Sequence, residues 1–178
     1  MLKKVFIVLV LLVSGCKSTS EFYSGENLLQ SMPLPEDSWI AYEKQEGNVY
    51  SRMWSKNDNK DQMKTDVFRN TKSRDIVREK EVDDRVGSEK CDNFSSSEIN
   101  KDKESKYNSL TWFSSCKTKS GVEISVLHKA ISGNDSFYHL RRIWKAGYSK
   151  ADLATWTNYF ATVAVCDTRA NSSETCPD

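Results

Sequence analysis

The chain has 178 residues, with 26 Lys+Arg against 25 Asp+Glu, 38% hydrophobic residues and five cysteines. A formal charge of +1 supplies neither the basic field that nucleic acid requires nor an acidic field for cations, and the length suits one domain with its own core. The cysteine count is odd, so the five cannot all pair with one another.

The first element is a targeting segment. Lys3-Lys4 makes a short cationic start, and residues 5–13 (VFIVLVLLV) form an unbroken apolar run of nine. A membrane-spanning helix needs about 20 apolar residues, so this run reads as a secretory signal and not as a permanent anchor. It ends in Val13-Ser14-Gly15-Cys16. That tetrapeptide resembles the lipobox of bacterial lipoproteins, with Val13 at the position where Leu is commonest. The resemblance covers only this segment and implies a diacylglyceryl group on the Cys16 thiol, cleavage before Cys16 and acylation of the new amino terminus. Two or three acyl chains hold stably to a bilayer, because each buried CH₂ adds about 0.8 kcal/mol. Lys17 stands where an Asp would favour inner-membrane retention in enteric-type bacteria, so the expectation is an outer-membrane anchor with a periplasmic domain. The inner membrane stays open, since that sorting rule varies among bacteria. Removing residues 1–15 takes away Lys3 and Lys4 and leaves a formal charge of −1, so the lipid makes the membrane attachment without help from a basic patch.

Residues 16–35 read as the lipidated N-terminus and a tether, and residues 36–178 as a single α+β domain. Residues 39–44 and 48–55 predict a strand pair around a tight turn at Glu46-Gly47. Residues 63–70 fit a strand or a short helix equally well. A charged surface helix is predicted from Ser73-Arg74-Asp75-Ile76 to Gly87, with a thin apolar stripe of Ile76, Val77 and Val82 and a stop at the glycine. Residues 92–108 read as a long polar loop. Residues 110–117, 122–131 and 136–144 predict a three-strand antiparallel meander. Ser149 looks like an N-cap with Asp152 three positions later. Leu153, Trp156, Phe160 and Val163 follow at helical spacing, predicting an amphipathic C-terminal helix to about residue 165.

With Cys16 assigned to lipid, Cys91, Cys116, Cys166 and Cys176 remain, an even number in an exported domain. Four cysteines allow three connectivities, of which Cys91–Cys116 and Cys166–Cys176 are expected. The first would close the polar loop, contributing roughly 3 kcal/mol through the unfolded state, and the second would pin the C-terminal tail. No Cys-x-x-Cys occurs, and the spacings of 25 and 10 match no zinc pattern. The order of hairpin, charged helix, polar loop, meander and packing helix resembles the α/β/α sandwich shared by the photosystem oxygen-evolving P subunit and the Mog1 nuclear-transport factor. The likeness lies in pattern over residues 38–165, without a signature residue. It implies an antiparallel sheet flanked by helices and a role as a binding or assembly subunit.

Only two histidines exist, His128 and His139. An even-numbered loop at Gly133-Asn134 places them directly opposite on one sheet face, among Ile124, Val126, Ala130, Phe137, Arg141 and Ile143. Such a pair could hold a metal or sense protons, but no third ligand is evident in the sequence, so a structural pair is expected over a metal site. No Gly-x-Ser-x-Gly and no phosphate-binding glycine loop is present, and scattered carboxylates carry little weight, so catalysis is the minority reading and no cofactor is implied. Trp112, Trp144 and Trp156 are expected in the core, with Trp54 partly exposed. Arg141 and Arg142 should face opposite ways, a poor joint anion site. The reading is a lipid-anchored envelope protein with a non-catalytic binding or assembly role and a protein partner. The alternatives are a small-ligand or metal sensor using His128 and His139, and an envelope hydrolase.

Overall fold

The computed structural model describes residues 23–29, 38–71, 74–101, 106–169 and 175–176. The signal segment 1–15, Cys16 and most of the expected tether lie outside the described residues. The described chain runs through strands β1 (Glu26–Leu28), β2 (Ile40–Glu46), β3 (Val49–Lys56) and β4 (Asp61–Arg69), then helix α1 (Ile76–Lys90). Strands β5 (Cys91–Ser96), β6 (Asn100–Lys101), β7 (Asn108–Thr118), β8 (Glu123–Ser132) and β9 (Ser136–Trp144) follow. Helix α2 (Lys150–Thr162) and strand β10 (Val165–Asp167) complete it.

The fold is mixed α+β, dominated by antiparallel sheet. The main sheet has the order β2-β3-β4-β9-β8-β7-β5, with β6 also paired to β7, and its pairings are antiparallel. The predicted meander is β7-β8-β9, and the undecided segment at 63–70 is the strand β4. Its alternation settles the matter: Met63, Thr65 and Val67 lie opposite Arg142, Leu140 and Tyr138 on one face, while Lys64, Asp66 and Phe68 share the other with Arg141, His139 and Phe137. Strand β9 is buried along nearly its whole length, as expected where both faces are covered.

One face carries the larger core. Trp54, Met63, Leu127, Ile131, Tyr138, Leu140 and Trp144 meet Trp156 and Phe160 of α2. Trp54 is 3% exposed and not at the surface as expected, because its pairing with Met63 turns it onto the α2 face. The capping prediction for α2 is met, with the Asp152 N–H donating to Ser149 Oγ at 3.0 Å. The helix ends at Thr162 instead of 165, because Val165–Asp167 leave it to pair with β1. That pairing also corrects the tether: Glu26–Leu28 are part of the folded structure. Arg142 lies on this face as well, 2% exposed, with its guanidinium 4.6 Å from the Trp144 ring and 4.9 Å from that of Trp156, and ion-paired with Asp61 at 2.5 Å.

The opposite face packs Leu110, Trp112, Ala130 and Phe137 against Ile76 of α1. Asp75 caps this helix by accepting from the Val77 and Arg78 N–H groups. Of the expected apolar stripe only Ile76 faces the sheet: Val77 and Val82 are 44% and 41% exposed, and Ile76 alone of the helix is buried. Nor does Gly87 stop the helix, which continues to Lys90. A Cβ at Gly87 would lie 2.7 and 2.8 Å from ring atoms of Phe94, so the glycine serves close approach to β5. The expected polar loop is correspondingly not all loop, since its first part is the edge strand β5. Both cysteine pairs stand at disulfide-bonding distance, Cys91 with Cys116 (Cα–Cα 5.6 Å) and Cys166 with Cys176 (Cα–Cα 4.9 Å).

Candidate functional site

Strands β8 and β9 carry the two histidines onto the α1 face. Their register pairs His128 with Arg141 and His139 with Ala130, so the imidazoles are diagonal neighbours and not directly opposed. The cause is the turn. Gly133 N donates to Ser136 O at 2.8 Å, centring the turn on Asn134-Asp135, one residue later than expected. A shift of two in pairing leaves the face unchanged, so the histidines still meet. His128 Nδ1 lies 3.2 Å from His139 Nε2. Ile124, Val126, Ala130, Phe137, Arg141 and Ile143 share the face as expected.

Two residues complete the cluster that sequence reasoning did not assign. Ser114 on β7 is paired with Val126, and its Oγ is 2.9 Å from His128 Nε2. Asp83 on α1 brings Oδ2 to 3.9 Å from His128 Nδ1 and 3.7 Å from His139 Nε2. The available signal was helical phase. Asp83 follows the buried Ile76 by seven residues and Gly87 follows by eleven, which puts an acid on the inward face of α1. Trp112, opposite His128 on β7, stacks on that imidazole at 4.6 Å with planes 8° apart, and on His139 at 5.5 Å.

The electrostatics hold both imidazoles neutral. Burial, helped by the Arg141 and Lys80 charges, lowers His128 to about 3. Burial, with Arg141, His128 and Lys64, holds His139 well below its ordinary value. Burial pushes the Asp83 carboxyl up against the pull of Arg141, with Glu79, Asp84 and Asp66 adding to the rise. The neighbouring cations are themselves engaged: Arg141 pairs with Asp66, which also accepts from Lys64 at 3.0 Å, and Lys80 pairs with Asp84.

Asp83, His128 and Ser114 open onto a cleft of about 410 Å³ between α1 and the sheet. Val86, Phe94, Ile124, Val126 and Ile143 give it apolar walls, with Lys90 and Lys145 also lining it. A concave apolar surface with a few convergent polar groups is the usual form of a binding site. A Ser–His–Asp order of side chains is present, but the backbone around Ser114 is paired with β8 on one side and β5 on the other. The amides next to Ser114 are therefore engaged in ladders and do not converge on an oxyanion.

Arg141 and Arg142 do face opposite ways, one into the cluster and the other into the tryptophan core. No family model matches the chain, and no curated protein is significantly similar to it.

Proposed function

We propose that the chain is a lipid-anchored protein of the bacterial cell envelope, held by acyl groups on Cys16 and acting without catalysis as a binding or assembly subunit. Its domain faces the periplasm, and its partner docks in the cleft between α1 and the sheet. The observation that carries the reading is the cleft, whose apolar wall of Val86, Phe94, Ile124, Val126 and Ile143 surrounds a floor of Asp83, Ser114 and His128. Compartment is supported by the lipobox-like Val13-Ser14-Gly15-Cys16 and by two cysteine pairs at disulfide distance, since such bonds persist in oxidising compartments. In its finer form the fold is an α/β/α sandwich with an amphipathic α2, like that of the oxygen-evolving P subunit and Mog1. The packing of Ile76 on one face and of Trp156 and Phe160 on the other supports that form.

Two experiments in the native host test the two halves. Radiolabelled palmitate should be incorporated by the natural chain and not by Cys16→Ser, which should also leave the membrane fraction. Equal labelling of both chains would end the anchor assignment. A photo-crosslinking residue at Val86 should trap one discrete envelope protein, and Val126→Arg should abolish that adduct. An adduct unaffected by Val126→Arg would remove the cleft as docking surface.

A further inference from the structure

Three donor atoms from three separate elements converge at the floor of the cleft: Asp83 Oδ2 from α1, His128 Nδ1 from β8 and His139 Nε2 from β9. Their separations are 3.2, 3.7 and 3.9 Å. A hydrogen bond explains the first distance only, because a carboxylate 3.7–3.9 Å from an imidazole nitrogen is beyond hydrogen-bond reach. The triangle makes better sense around an ion. The point equidistant from its corners lies about 2.1 Å from each, within the ~2.0–2.2 Å range of zinc bonds to imidazole nitrogen and carboxylate oxygen. We propose that Asp83, His128 and His139 bind one divalent cation of the zinc class, leaving a coordination position open to the cleft.

The supporting contacts fit that role. A ligating imidazole normally has its second nitrogen hydrogen-bonded, which selects the tautomer and fixes the ring. The Ser114 hydroxyl stands 2.9 Å from His128 Nε2, where it can take that N–H and leave Nδ1 with its lone pair aimed at His139 and Asp83. Trp112 stacks on both rings and restrains their rotation. Two imidazoles and one carboxylate form the borderline donor set that zinc accepts, whereas calcium and magnesium require oxygen. The nearby cations do not fill the place: Lys80 is committed to Asp84 and Arg141 to Asp66, and Asp83 remains directed at the imidazoles. Because Asp83 and His128 also line the cleft while three protein donors are supplied, the open side of the ion faces the cleft. The site stands on these donors alone, independently of the lipid anchor and of any docked partner.

The test uses the full chain in detergent micelles without a polyhistidine tag, titrated with Zn²⁺ against a chromophoric chelator. One equivalent should bind. His139→Gln and Asp83→Asn should each weaken uptake by more than about 100-fold, and Ser114→Ala by about 10- to 100-fold, the usual effect of losing a supporting partner. X-ray absorption on the zinc-loaded natural chain keeps the test decisive even if a variant misfolds. The chain has two histidines, so a shell with two imidazoles identifies the site. Absence of stoichiometric uptake, a shell with fewer than two imidazoles, or folded His139→Gln and Asp83→Asn chains binding as tightly as the natural one would each overturn the proposal.

Discussion

The Glu26 carboxylate occupies the space that a side chain at Gly133 would need. A Cβ there would lie 2.8 Å from Glu26 Cδ and 2.9 Å from the Ser136 carbonyl oxygen. The carboxylate accepts from the Asn134 N–H at 2.7 Å and the Asp135 N–H at 3.2 Å, so a residue 108 positions before Asn134 ties down the turn that sets the histidine register. Gly133→Ala should therefore destabilise the domain by displacing Glu26, and Glu26→Ala should do so by leaving the two amides without their acceptor. Each loss is expected at about 1–3 kcal/mol by denaturant titration. The double variant should lose less than the sum, because both changes break one contact. Strict additivity would show that Glu26 does not hold the turn.

The Arg142–Asp61 pair predicts an asymmetry between its partners. Arg142 is almost fully buried among Trp144, Trp156 and Trp39, whereas Asp61 keeps part of its side chain in water. Asp61→Ala leaves a buried guanidinium with the Gln62 and Ile143 carbonyls but no counter-charge and should cost about 3 kcal/mol or more, while Arg142→Met keeps the packing and leaves a carboxylate that water can reach. The methionine variant should be the milder of the two in thermal unfolding. The opposite order would mean that stacking on the indoles outweighs the ion pair.

These cases show what the sequence could carry. Strand periodicity and turn residues marked the meander, and a Ser149 cap followed by Trp156 and Phe160 marked α2, because those signals are local. The shared face of His128 and His139 was legible from parity alone. Their offset was not, because Glu26 holds the turn from outside the hairpin. Helix α1 misled for a related reason: its valines suggested a buried stripe, yet the inward face carries Asp83 and Gly87 and is shaped by Phe94 on the next strand. Helical phase with Ile76 marked Asp83 as inward but not what it would meet, and Ser114 enters the cluster through strand pairing that leaves no local pattern to read.

The two neutral histidines make the metal-free domain acid-sensitive. Their folded-state values are depressed, so the unfolded chain binds more protons once the pH falls below about 6.5, and stability then falls with pH. Each imidazole contributes a slope of up to about 1.4 kcal/mol per pH unit, continuing for His128 toward about 3. The Arg141, Lys64 and Lys80 charges add to that depression, while the raised carboxyl of Asp83 works in the opposite sense at the acid end. Urea unfolding with a chelator present should show stability full above pH 7 and declining below 6.5. His139→Gln should flatten that decline by about half. An unchanged slope in His139→Gln would place the acid sensitivity elsewhere.

The contact between Gly87 and Phe94 sets how closely α1 approaches the sheet, and so the width of the cleft. In an exposed helix interior, Gly→Ala gains up to about 1 kcal/mol. At Gly87 the added methyl meets the Phe94 ring, so either the ring turns away or the helix lifts from β5. Gly87→Ala should therefore fail to gain that increment and should destabilise the fold. Gly87→Ala combined with Phe94→Ala should recover at least part of the loss relative to Phe94→Ala alone, because the methyl then enters the space the ring has left. A double-mutant cycle in guanidinium measures the coupling. A coupling energy indistinguishable from zero would mean that the ring does not hold α1 in place, and the cleft would then owe its width to Ile76 and the helix N-cap alone.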